Sequence, residues 1–82
     1  MDWEARITVD PQLLVGKPVI RGTRLSVEFM LDLLTQGWSY AEILRNYPGI
    51  EIADILACLA YARDSVCETK VYFLYSSKID VR

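Results

Sequence analysis

Apolar residues recur in three different rhythms along this chain of 82 residues. Between Arg6 and Leu25 they come in short runs cut by turn formers. Ile7-Thr8-Val9 is β-prone, Asp10-Pro11 opens a turn, and Gly16-Lys17-Pro18 marks a second. The run Val19-Ile20-Arg21-Gly22-Thr23-Arg24-Leu25 reads as two short strands folded about Gly22, where glycine supplies the positive φ of a tight turn. Strands this short need a pairing partner, and the same segment of a second chain is one candidate.

From Ser26 to Cys67 the period becomes helical. Ser26 is a good N-cap, and Val27, Met30, Leu31 and Leu34 follow at the spacing of a buried stripe. Gly37 stands where a left-handed C-cap is expected. Ser39-Tyr40-Ala41-Glu42 is a capping box, so a second helix starts there with Ile43, Leu44 and Tyr47 turned inward, and Pro48-Gly49 ends it. A third helix runs from near Glu51, with Ile52, Ile55, Leu56, Leu59 and Ala62 expected on its buried face and Asp54 and Asp64 off it. Three helices joined by short turns make a helix-turn-helix arrangement.

A third rhythm begins after Glu68. Lys70-Val71-Tyr72-Phe73-Leu74-Tyr75 is β-prone with apolar groups on both faces: Val71, Phe73 and Tyr75 alternate with Tyr72 and Leu74. A strand of that kind wants cover on both sides, and left exposed it invites aggregation. The predicted fold class is therefore α+β, mostly α: an N-terminal β-hairpin, a three-helix domain, and an extended C-terminal segment. Residues 1–67 are assigned to the folded domain and 68–82 to a partner-binding segment.

Composition narrows the chemistry. At 9.4 kDa the chain builds one thin core, although 52% of its residues are hydrophobic, too many for a disordered chain. Histidine is absent, which removes imidazole metal sites, histidine general bases and Ser-His-Asp triads. Cys58 and Cys67 lack metal-site spacing, and on one helix they stand roughly 13 Å apart, too far for a disulfide. Reduced thiols, a charged N-terminal stretch without a signal-like apolar run, and no membrane-length apolar run point to a cytoplasmic protein, not an enzyme, without cofactors. Asp32, Glu42, Asp54 and Asp64 are expected on solvated helix faces, with no spacing that gathers them around magnesium.

Charge is distributed unevenly. Residues 1–25 carry a net +1, residues 26–68 a net −5, and residues 69–82 a net +2. A helix-turn-helix that grips DNA is normally basic in its helical part, and this one is acidic.

The residues Ile7-Thr8-Val9-Asp10-Pro11, Gly16-Lys17-Pro18-Val19-Ile20-Arg21-Gly22-Thr23-Arg24-Leu25, Gly37-Trp38-Ser39, Tyr47-Pro48-Gly49 and Ala57-Cys58-Leu59-Ala60-Tyr61-Ala62 resemble the domain-of-unknown-function family numbered 433. The resemblance covers about residues 6 to 63. It implies a β-hairpin followed by a helix-turn-helix domain, commonly dimeric. It also implies a role like that of VapB-type antitoxins, which neutralise a PIN-like RNase toxin through a C-terminal segment and bind their own promoter through the folded half. One departure is Glu51, an acid where the family tends to cap the third helix with a hydroxyl residue.

These readings assign candidate sites. Lys17, Arg21, Arg24 and Arg45 are the DNA-binding candidates, set against turn chemistry and salt bridges to Glu28 or Asp32. On the third helix a DNA reader would lead with Glu51, Ala53, Asp54 and Ala57, none of which reads guanine as arginine does. Val71, Tyr72, Phe73, Leu74, Tyr75 and Lys78 are the partner-binding candidates, set against folding back on their own domain or pairing in a homodimer. Trp3 and Trp38 are read as core or interface aromatics, and both cysteines as buried small hydrophobes. The expected function is that of a type II antitoxin; the alternative is a stand-alone dimeric helix-turn-helix DNA-binding regulator.

Overall fold

The computed structural model describes residues 2–12 and 14–67. The elements run in chain order as a 3-10 turn (Trp3–Ala5), β1 (Ile7–Val9), β2 (Pro18–Ile20), α1 (Val27–Thr35), α2 (Tyr40–Asn46) and α3 (Ile52–Cys67). The α+β class, an N-terminal hairpin followed by three helices, is as the sequence predicts. Residues 68–82, including the expected strand at 71–75, lie outside the described residues.

The hairpin is built differently from the expectation. β1 pairs antiparallel with β2 in the register Ile7 to Ile20, Thr8 to Val19 and Val9 to Pro18, so the strands find their partner within the chain. The fold about Gly22 is a tight turn that returns the chain to a single bridge between Val19 and Ser26. Its geometry is that of a type II turn. The Thr23 N–H donates to the Ile20 carbonyl at 3.0 Å, with Gly22 at φ 83° in the position that demands a positive value.

The β1–β2 connection contains a left-handed turn at residues 14–16. Leu14, Val15 and Gly16 hold φ of 49°, 55° and 78°, closed by the Lys17 N–H on the Leu14 carbonyl at 3.1 Å. A β-branched residue is a rare occupant of that region, and the Val15 side chain is 93% exposed.

Helix boundaries follow the sequence signals closely. Ser26 Oγ accepts the Phe29 N–H at 2.9 Å, capping α1. At the other end Gly37, at φ 92°, donates to the Leu34 carbonyl while Trp38 donates to that of Leu33, the paired bonds of a Schellman motif. The α2 capping box is complete: Glu42 N–H to Ser39 Oγ at 3.1 Å, Ser39 N–H to Glu42 Oε1 at 2.8 Å.

The core gathers Ile7 and Ile20 from the hairpin, Val27, Met30 and Leu33 from α1, Ile43 from α2, Ile50, and Ile55, Ala57 and Cys58 from α3. On α1 the buried line is rotated slightly from the predicted one, with Leu33 inside and Leu31 and Leu34 at its margins. On α3 the prediction fails for three residues. Ile52, Leu56 and Leu59 face outward, 48%, 42% and 37% exposed. The inward positions are taken instead by Ala57, Cys58 and Ala60, whose small side chains let the helix lie close to its neighbours. Trp3 and Trp38 are half-buried against the core, as expected. Cys58 is buried, but Cys67 is exposed, contrary to expectation.

Candidate functional site

The four basic candidates are scattered over the fold. Lys17 and Arg21 flank β2, roughly 13 Å apart along the strand, and they line separate hollows. Lys17 Nζ pairs with Glu28 Oε1 at 2.7 Å, and this lysine holds the Glu28 carboxyl below its ordinary range. Arg21 turns back on its own backbone, donating from Nε to the Ala5 carbonyl and from Nη2 to that of Glu4, both at 3.2 Å. Arg24 is exposed on the turn after β2 and makes no ion pair among the described residues. Arg45, exposed on α2, lies one turn from Glu42. The Glu42 carboxyl is held low first by the Ser39 backbone N–H, then by the Ser39 hydroxyl, with Arg45 adding to it.

The start of α3 is sealed by a charge cluster that the sequence reading missed. Asp54 is buried, not on a solvated face, and its two oxygens are both engaged. Oδ1 accepts from Arg6 Nη1 at 3.0 Å, and Oδ2 accepts the Glu51 backbone N–H at 2.8 Å. Asp54 thereby performs the backward half of a capping box on the Glu51 backbone. Arg6 also reaches Glu51 Oε1 at 3.4 Å. The signal in the sequence was an acid at the third helical position with a cation in β1's approach, a pairing that spacing alone does not reveal. Ala57 is fully buried. Two of the four residues that a base-reading helix would present are therefore inside the fold.

A second anchor holds the far half of α3. The Trp3 indole Nε1–H donates to Asp64 Oδ2 at 2.8 Å, and its ring meets Tyr61 edge-on at 4.7 Å. That hydrogen bond, with a lesser one from Arg63, draws the Asp64 carboxyl below its ordinary 3.8. Among the described residues no three carboxylate or thiol groups lie close enough together to hold a metal ion. None of the described helices is long and apolar enough to cross a membrane.

Pinned at both ends, α3 presents to solvent an apolar stripe that Arg63 interrupts. At 100° per residue, Ile52, Leu56, Leu59, Arg63 and Val66 fall within about 40° of one line along the helix. Leu56, Leu59, Ala60 and Arg63 border an open hollow of about 470 Å³. A helix apolar on both sides ordinarily has something against both. The partner-binding candidates Val71, Tyr72, Phe73, Leu74, Tyr75 and Lys78 follow α3 directly in sequence and lie outside the described residues.

Comparison with known proteins agrees with this fold. A crystal structure of a DUF433 member protein from Anabaena variabilis is similar over 77% of this chain, with a TM-score of 0.72 and 30% identity. This chain spans 62% of the length of that one. A search of curated proteins finds no match. The family model described as protein of unknown function (DUF433) matches residues 7–62, from the start of β1 to the last turns of α3, and the chain belongs to that family.

Proposed function

We propose that this chain is the antitoxin of a type II toxin–antitoxin pair, a cytoplasmic homodimer that neutralises a small PIN-like RNase by binding it. The observation that carries the reading is the outward apolar stripe of α3, which favours a protein partner over a nucleic acid. Phosphate contact asks for cations, and this face offers Ile52, Leu56 and Leu59 around a single arginine.

The stripe suits a second copy of the chain. Two α3 helices crossing antiparallel about the midpoint between Leu56 and Leu59 set those leucines against each other. They also bring Arg63 of each copy toward the Glu51 end of the other, and both side chains are exposed. The C-terminal segment is then left for the toxin. Tyr72, Phe73, Leu74 and Tyr75 supply apolar anchors, and Lys70, Lys78 and Arg82 supply cations for the carboxylates of a metal-binding cleft. Promoter contact is the lesser part of the reading and is supported by Arg24 and Arg45, both exposed.

The test is co-purification of the tagged full chain from its host, with the companion identified by mass and its RNase activity titrated. A stoichiometric PIN-like protein silenced by added antitoxin is the expected result. A chain that arrives alone overturns the reading. Leu56→Asp and Leu59→Asp, at exposed positions, are expected to give a folded monomer by light scattering.

A further inference from the structure

The hollow on the outer face of α3 has the form of a socket. Its lining residues, Leu56, Leu59, Ala60 and Arg63, stand at i, i+3, i+4 and i+7. Four residues so placed frame the hole into which one side chain of a facing helix fits. Ala60, only 7% exposed, is the floor, and the two leucines and the arginine rise around it. We infer that this socket receives Leu56 of a second copy, and that Arg63 on its rim fixes the two α3 helices antiparallel. The pair so formed is the homodimer of the proposed function, on which this assignment rests.

Self-complementarity selects the occupant. The socket centres between Leu59 and Ala60, about 5 Å along the helix from Leu56. A twofold axis midway between the two, at the level of Ala57 and Cys58, seats each copy's Leu56 in the other's socket at once. The same operation carries Arg63 of each copy to the first turn of the other's α3, close to Glu51. Seating Leu59 instead moves the axis by about one residue and leaves Arg63 level with Ile55 and Leu56, in the apolar middle of the stripe.

Charge selects the direction. In a parallel pair Arg63 meets Arg63 and Glu51 meets Glu51, and like charges repel at both ends. The antiparallel pair brings unlike charges together. Each group already has a partner in its own chain: Arg63 Nε lies 3.0 Å from Asp64 Oδ1, and Glu51 Oε1 lies 3.4 Å from Arg6 Nη1. Both side chains are exposed all the same, and the terminal nitrogens of Arg63 bond to none of the described residues. Direction depends on the difference between the two arrangements, and the intrachain pairs, common to both, leave its sign unchanged.

The native cysteine reads the direction. Cys67 is exposed and Cys58 buried, so a thiol-reactive nitroxide marks one site per chain. Antiparallel pairing through Leu56 separates the two Cys67 positions by about 28 Å along the helices. A parallel pair leaves them roughly one interhelical distance apart, about 8–10 Å. Pulsed dipolar EPR on the labelled full chain should show the long distance and no dipolar broadening from a short one. Arg63→Leu, at an exposed position, should keep the dimer and add a short-distance population. Isotope-filtered NMR on mixed labelled and unlabelled chains should show NOEs from the Leu56 methyls to the Ala60 methyl of the other copy.

Four results would each overturn the assignment: a short distance in the unaltered chain, a distribution unchanged in Arg63→Leu, intermolecular NOEs to Ala60 from Leu59 in place of Leu56, or a chain that stays monomeric. The first three leave the homodimer standing, and the fourth removes it as well. The antitoxin reading is decided separately, by the companion that co-purifies.

Discussion

Val15 holds φ 55° and ψ 39° with its side chain 93% exposed, so replacing it by glycine removes backbone strain and gives up no packing. An L-residue in the left-handed region costs about 1–2 kcal/mol, and valine, branched at Cβ, belongs at the upper end. Glycine returns part of that gain, because the unfolded chain acquires freedom worth about 0.4–1 kcal/mol. The net expectation for Val15→Gly is a stabilisation of about 1–1.6 kcal/mol, a rise in Tm of roughly 4–13 °C for a domain of this size. Thermal melts and urea titration followed by circular dichroism measure it, with an unchanged m-value showing that the unfolded state is comparable. Gly22→Ala is the mirror experiment. Gly22 sits at φ 83° with open space around the added Cβ, so the substitution should cost about 1 kcal/mol through conformation alone. An unchanged or lowered stability in Val15→Gly would refute the reasoning, because it would mean that the valine side chain is held by contacts worth more than the strain.

Three further outcomes follow from the fold. Arg6→Ala leaves the buried Asp54 carboxylate with a backbone N–H as its remaining partner and should lower the urea midpoint with the m-value unchanged. In the native chain one thiol should react with a disulfide reagent quickly, Cys67, while Cys58 reacts on unfolding, since burial first and the nearby Asp54 charge second push its pKa up to about 12. Stability should be flat between about pH 6 and 8, where no histidine titrates, and should fall below about pH 4.5. Asp64, Glu28 and Glu42 are all depressed in the fold, so their contribution is present above their unfolded values and is lost as pH falls through the lower folded ones. Trp3 fluorescence reports the Asp64 step directly, and a midpoint at or above 3.8 would contradict the Trp3–Asp64 hydrogen bond. On the alkaline side Cys58, raised from 9.0, withdraws its contribution as pH climbs from there towards 12.

Local signals were legible in the sequence where one residue acts on its own backbone neighbourhood. Ser26, Gly37 and the Ser39–Glu42 box announce three helix ends by chemistry that closes within four residues, and each end stands where it was read. The turn about Gly22 is as local and as legible, but the partner of its first strand is not. That β1 pairs with β2, and not the same segment of a second chain, depends on Ile7 and Ile20 meeting α1 and α3 in the core, a contact between distant segments. Asp54 was misread similarly, because its partner Arg6 is 48 positions away.

α3 carries the same lesson into function. Its apolar residues lie all around it, so period cannot say which side is inside. The buried side combines Ile55 with the small Ala57, Cys58 and Ala60, which permit close approach to the rest of the core, and Ile52, Leu56 and Leu59 are left facing out. The same choice buries Ala57 and Asp54, two of the positions that a DNA-reading helix would present, and exposes a stripe with the chemistry of a protein interface. Sequence and fold thus agree on the helix and disagree on its face, and the face bears on whether the partner is a protein or a nucleic acid. Leu56→Asp tests this at an exposed position. A folded monomer that has lost its protein partner but kept any DNA affinity would support the protein reading. An unchanged dimer with an unchanged partner would show that the stripe is not an interface, and the weight would move to Arg24 and Arg45.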